Sequence, residues 1–315
     1  MANKKSTGKP ESQKEDTKRT LKQRTYKSFR LAKPIKYAGR PLPSSWQLLK
    51  KSAQFLWLHK KSLGGVLLVF GVIHFIFVQG VSAGDFSEVK QIYDDSIGGL
   101  NGGIALFTYM VSTIGQANSV EGGIYQSILF IIVSLAIIWA LRELMASKQI
   151  RIRDPYYRGM YPLVPFTLVL LVIGLQTIPA LVGAWLYSVV VSNGIAVSVV
   201  EQLFWLVVFF IFALLSFYML CSSLMALYIV TLPDMAPMRA LRSARNLVKY
   251  RRWMIAKKVI ILIISLLVVA SVVMLPLLML VPIAAPVIFY LGTIVALGFV
   301  HVYFYHIYRE LLLDE

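Results

Sequence analysis

Several groups of side chains in this 315-residue chain have the types or the spacing that chemistry requires. His74 stands inside a long apolar run, five residues before Gln79. A neutral imidazole at such a depth either lines a polar path or donates to a carbonyl of a neighbouring helix. Interhelical hydrogen bonds in membranes average only about 0.6 kcal/mol. Gln176, Thr177 and Pro179 fall together within another apolar run. Pro179 frees the carbonyl of Leu175 and kinks the helix, and broken helices at mid-depth bind substrates in transporters. The alternative is a bent packing helix. His74, Gln176 and Thr177 are thus the candidate polar pathway. His301, Tyr305 and Tyr308 recur at i, i+4 and i+7, with His306 beside them. That spacing gathers them on one helical face, either as a polar boundary or as aromatic rings at headgroup depth. They make a poor metal site, because no carboxylate sits at ligand spacing and no His-Glu-x-x-His occurs.

Nucleophile types occur in Cys221-Ser222-Ser223, but no base and no Gly-x-Ser-x-Gly elbow accompanies them. They read as small residues that permit close helix packing, as does the pair Gly292 and Ala296. Neither a phosphate-binding Gly-Lys-Ser/Thr loop nor a dinucleotide fingerprint is present. Cys221 is the only cysteine, which excludes an intrachain disulfide and a multi-cysteine metal site. The expectation is a non-enzyme with no cofactor and no metal.

The elements that would position these groups follow from composition. Apolar residues make up 57% of the chain and charged residues 15%, against about 45–50% and about 25% in soluble domains. The mean hydropathy is +0.69. Six apolar runs, 64–81, 124–146, 163–191, 203–231, 259–280 and 286–307, can each cross a hydrocarbon core of about 30 Å. The third and fourth are longer than a crossing needs, so they must tilt, kink or extend beyond the core. This predicts an all-α, polytopic transmembrane bundle of about six spans. Val81-Ser82-Ala83 resembles a signal cleavage site, but 63 residues precede the first run, more than a signal's n-region holds.

Charge then orients the bundle. The net charge is +17. With six crossings, 31 of 32 basic residues and 9 acidic ones fall on one side, net +22; the other side carries 1 and 6, net −5. The positive-inside rule makes the first side, and both termini, cytoplasmic in a bacterial-type cell membrane. A further crossing over the Gly-rich stretch 97–114 would flip every later loop, so 82–123 is expected to be an extracytoplasmic excursion with a re-entrant or interfacial helix near 104–114. Residues 1–43 are polar and basic, too poor in apolar side chains to offset the entropy of ordering. They are expected to form a disordered cytoplasmic tail before a single transmembrane domain over 44–315. Few stacking aromatics accompany its cations (Tyr26, Phe29, Tyr37), so no specific nucleic-acid partner is expected.

Two basic segments precede spans, Trp46–Lys61 and Met238–Trp253. At an offset of 191 residues Lys51-Ser52-Ala53 falls on Arg242-Ser243-Ala244, Leu56 on Leu247, and Lys60-Lys61 on Arg251-Arg252. We read an internal repeat of two amphipathic helices lying in the membrane interface. Ser44 or Ser45 would cap the first; Asp234 or Ala236 would begin the second, with Pro237 in its first turn. Lys50, Lys51, Lys60, Lys61, Arg239, Arg242, Arg245, Lys249 and Arg252 are the candidate residues for anionic lipid headgroups or a cytoplasmic protein partner.

The second segment resembles the membrane domain of glycerophosphodiester phosphodiesterases and related six-span bacterial proteins. Ala240, Leu241, Arg242, Ser243, Leu247, Arg252 and Trp253 carry the resemblance, and Ala244 departs from it where a large residue is common. The catalytic barrel of those enzymes has no counterpart here. The resemblance therefore implies a membrane module and no esterase. One expectation tests the threading: in a Cys221→Ala background, cysteines replacing Arg153 or Arg251 should react with an impermeant maleimide from the cytoplasmic side alone. Labelling from the outer side would refute it.

Overall fold

The computed structural model describes residues 43–79, 107, 120–281 and 284–312. The expected tail over 1–43 and the excursion over 82–123 lie almost wholly outside them. Among the described residues 85% are helical and none is in a strand. The chain is a multi-pass, all-α bundle, and the described residues include six helices long and apolar enough to cross a membrane.

In chain order the helices are α1 (Ser45–Leu58), α2 (Lys60–His74), α3 (Val120–Met145), α4 (Asp154–Arg158), α5 (Leu163–Ser192), α6 (Val199–Ser223), α7 (Ala226–Ile229), α8 (Pro237–Val248), α9 (Arg252–Leu280) and α10 (Ala285–Leu312). A π-helical turn, Phe75–Gln79, continues α2. The spans are α2 with that turn, α3, α5, α6 with α7, α9 and α10.

Several spans start or end beyond the apolar runs. The first begins at Lys60, the fifth at Arg252, and the last runs on to Leu312. Lys and Arg are good helix formers, and their long stems let the charge reach the end of the helix. The basic segments are accordingly split. A turn at His59 and a break at 249–251 leave Lys60, Lys61 and Arg252 in the first turns of spans, off the preceding helices. Ser44 precedes α1, and Gln47 Oε1 accepts its N–H at 3.3 Å. Ala236 is the cap residue of α8 with Pro237 next, while Asp234 takes a left-handed φ of 54° in the approaching turn.

Neighbouring spans are antiparallel. Phe77 meets Tyr125 while Tyr156, just past α3, reaches back to Val66 of α2. The close of the first span and the start of α3 therefore lie at the same end of the bundle, as six crossings require. Glycines set the close approach of the first and last spans. A Cβ on Gly298 would lie 2.6 Å from Leu67 Cδ1, and one on Gly71 2.7 Å from Ile294 Cδ1. Gly292, expected to serve this purpose, is exposed with nothing near its missing Cβ.

The α5–α6 hairpin is the most extensive helix pairing, yet it offers little surface to the remaining spans. Only 6% of the most apolar stretch of the fourth span is buried, so its outward side chains are left for lipid. Pro179 lies inside α5, which continues through it, and Ser216 Oγ of α6 accepts the Ala180 N–H at 3.0 Å. The principal core lies at the other extreme, where α1, α7 and α8 close one end of the bundle around Leu48, Met225, Ala240, Val248, Ile255 and Tyr303.

Overfilling the Gly298 contact should cost about 1–3 kcal/mol. Gly298→Val is expected to lower the melting temperature in neutral detergent, and Leu67→Ala in the same chain to restore part of the loss. A neutral Gly298→Val would show that the two spans do not meet there.

Candidate functional site

The polar groups at mid-depth do not converge. Tyr290 on the last span donates its O–H to Gly71 O at 2.7 Å, and its oxygen lies 3.2 Å from His74 Nδ1. With the phenol proton committed, the oxygen accepts, so His74 carries its proton on Nδ1. His74 sits at the junction of the α-helix with the π turn, tied to its neighbour span. Gln176 and Thr177 lie on the α5–α6 hairpin. Thr177 Oγ1 donates to Gly174 O of its own helix at 2.7 Å, and Gln176 Oε1 is buried without a partner. The side chain of Gln79 lies outside the described residues.

The tyrosine and histidine spacing on α10 builds an aromatic cluster. Tyr228 stacks on Tyr308 with centroids 6.0 Å apart and meets Tyr305 edge-on at 6.0 Å. His301 donates to Leu297 O, one turn back, at 2.9 Å. Ser222 and Ser223 both donate to Met219 O, and Cys221 is buried.

The cations gather instead at one end. On α8 the residues Ala240, Ala244 and Val248 are buried, while Arg239, Arg242 and Arg245, and Lys249 just past its end, are exposed on the opposite side. The helix presses its apolar stripe onto α5, α6 and α7. Alanines, having no bulk beyond Cβ, let that stripe seat on protein. On α1 Leu48, Leu49 and Ser52 face α9 and α10, and Lys50 is exposed. Lys51 pairs with Glu310 at 3.5 Å. Lys60 stands 4.4 Å over the Trp57 ring, with Lys61 exposed beside it. Arg252 is half-buried 4.8 Å over Tyr218, its Nε without a partner. At the 191-residue offset the buried faces coincide at Leu49 and Ala240. They part at Ala53 and Trp57, which are exposed where Ala244 and Val248 are buried.

Three groups at this end escape reading from sequence. Lys258 is 4% exposed, and its Nζ donates to Pro43 O while Tyr303 donates to Lys258 O at 3.1 Å. One buried lysine thus anchors the approach to α1 against the bundle. Arg142 Nη1 donates to Thr231 O at 3.0 Å, joining the ends of the second and fourth spans. Tyr156 donates to Val66 O at 2.7 Å, and burial pushes its hydroxyl up to about 12, which keeps it a donor throughout the physiological range. Large apolar side chains stand exposed among the cations, notably Trp46, Trp57, Leu58, Met238, Tyr250 and Trp253.

Comparison with protein-family models, with curated proteins and with solved structures finds no match. Side-chain geometry alone therefore carries the functional reading. Tyr290→Phe should remove the His74 tie at a cost of about 0.6 kcal/mol. The change is expected to show as faster hydrogen exchange around residues 70–79, with no loss of fold. Unaltered exchange would mean that the bond does not hold the π turn.

Proposed function

We propose that the protein is a non-enzymatic component of a bacterial-type cytoplasmic membrane, with both termini cytoplasmic, whose basic end gathers anionic lipid headgroups. The observation that carries the reading is α8. Its three arginines, with Lys249 just past its end, lie opposite a stripe seated on the bundle, so the helix is held with its charge facing away from the protein. Each cation near an anionic leaflet contributes about 1 kcal/mol.

Two features favour a membrane surface over an acidic soluble partner. Met238, Tyr250 and Trp253 are exposed beside the cations, as are Trp46 and Trp57 on α1. Amphipathic rings at that position suit the headgroup boundary. The same end also carries the start of the first span and the end of the last, so headgroups are within reach wherever the bundle is inserted. The positive-inside rule turns this end to the cytoplasm, where anionic lipids meet it.

A transport path has less support, because His74 bonds to the last span while Gln176 and Thr177 sit on the hairpin. The non-enzymatic reading agrees with the serine hydroxyls beside Cys221, which are bonded to a helix carbonyl.

Replacing Arg239, Arg242, Arg245 and Lys249 together by Gln is expected to abolish most of the preference for phosphatidylglycerol over phosphatidylcholine. Spin-labelled lipids in reconstituted bilayers would measure it. The wild-type preference should weaken as salt shortens the Debye length from about 10 Å at 0.1 M to about 3 Å at 1 M. An unchanged preference in the quadruple variant would sink the reading.

A further inference from the structure

Beside the basic helices lies an open groove of about 650 Å³, between the α1–α2 elbow, the end of α3 with residues 147–150, and the end of α10. Its apolar lining includes Phe55, Leu58 and Met145, and its polar lining includes His306, Lys148 and Arg309. Phe55 packs against two imidazoles, His59 at 4.4 Å and His306 edge-on at 5.7 Å. His59 Nδ1 is committed to Phe55 O at 3.1 Å. His306 Nε2 is buried and has no hydrogen-bond partner among the described residues.

Of the two cations that line the groove, Lys148 and Arg309, one is compensated. Lys148 pairs with Glu143 at 2.8 Å and Lys51 with Glu310 at 3.5 Å. Arg309 is left over. Its Nη1 lies 3.5 Å from Met145 Sδ, and among the described residues no carboxylate comes within 4.0 Å of it. One uncompensated guanidinium beside a buried ring nitrogen calls for one singly charged oxyanion with a further acceptor oxygen. A guanidinium holds such an anion through parallel N–H donors. A phosphodiester carries that charge; a fully ionised phosphomonoester carries two.

We propose that this groove binds the phosphodiester of one anionic phospholipid, with Arg309 as the principal donor and Lys148 and His306 as secondary ones. The phospholipid source follows from continuity. Leu58 is 78% exposed on the rim and Trp57 73% exposed next to it, so an apolar surface runs from the groove toward the first span, where acyl chains would lie. The proposal rests on the lipid-facing reading of the basic end for its ligand, but it concerns a discrete site on different residues from the α8 face.

The test uses the full chain purified in neutral detergent. Native mass spectrometry counts phosphatidylglycerol retained after exchange, with phosphatidylcholine and dimethyl phosphate as separate arms. Wild type should keep one phosphatidylglycerol, and Arg309→Gln with Lys148→Gln should weaken retention about tenfold, the worth of a charge-assisted hydrogen bond. Arg309→Lys, which keeps the charge and loses the fork, should retain an intermediate share. The quadruple α8 variant should retain this lipid while losing bulk selectivity, which separates failure of the groove from failure of the surface reading. Equal retention by the Arg309/Lys148 variant overturns the site. Binding of dimethyl phosphate as tight as that of the lipid overturns the phospholipid source. If the double variant melts early, Ser62→Phe, which fills the groove and removes no charge, decides: loss of the lipid supports the site and retention overturns it.

Discussion

Without water, a backbone N–H or C=O in the hydrocarbon must find its partner within the protein. That constraint governs this molecule more than any single contact. It makes every span a continuous helix and leaves repair necessary wherever a helix is interrupted. Pro179 shows the repair. The ring removes one N–H from α5, and the hydroxyl of Ser216 on the partner helix accepts the next one, at Ala180. A proline in mid-membrane thereby fixes the register of a hairpin. The π turn after His74 shows a second solution, in which the chain stays helical and a tyrosine from the last span accepts from the imidazole and donates to a carbonyl one turn earlier.

The same rule divides the labour between the two ends. Away from the basic end the spans face lipid and need few contacts. At the basic end, water and headgroups return, and short helices, turns and cations become affordable. There the chain assembles its largest core and also its most polar couplings: Lys258 on Pro43, Arg142 on Thr231, and Tyr156 on Val66. In two of these couplings, those of Lys258 and Arg142, a cation is also a bolt between elements.

Hydropathy and charge made the architecture legible. The six spans, their alternation and the collection of cations at one end follow from runs of 18 or more apolar residues and the basic segments between them. The interior was less legible. Sequence treats Lys258 as one more cation in a cluster, because nothing in its neighbours reveals that Pro43 and Tyr303 will enclose it. Likewise the glycines at 71 and 298 look no different from Gly292, yet only the first two meet a facing side chain. The basic helices were visible as segments, but their breaks at His59 and 249–251 were not, since the residues there are compatible with helix. His74, Gln176 and Thr177 share a depth in the sequence pattern; which helices pack together is a tertiary fact that depth does not encode. The groove is hidden for the same reason, being made from three stretches far apart in the chain.

One property of the α5–α6 hairpin reaches beyond its packing. Its first helix has 30 residues and rises about 45 Å, half again the thickness of a typical hydrocarbon core. Mismatch of that size is relieved by leaning or by local thickening of the bilayer. With so little protein against the fourth span, the lean of this arm is governed by the lipid around it. The hairpin would stand more upright in a thick membrane and lie flatter in a thin one. Ser216 keeps its two helices moving as one, and α8, seated on both of them, would carry its arginines along with that swing.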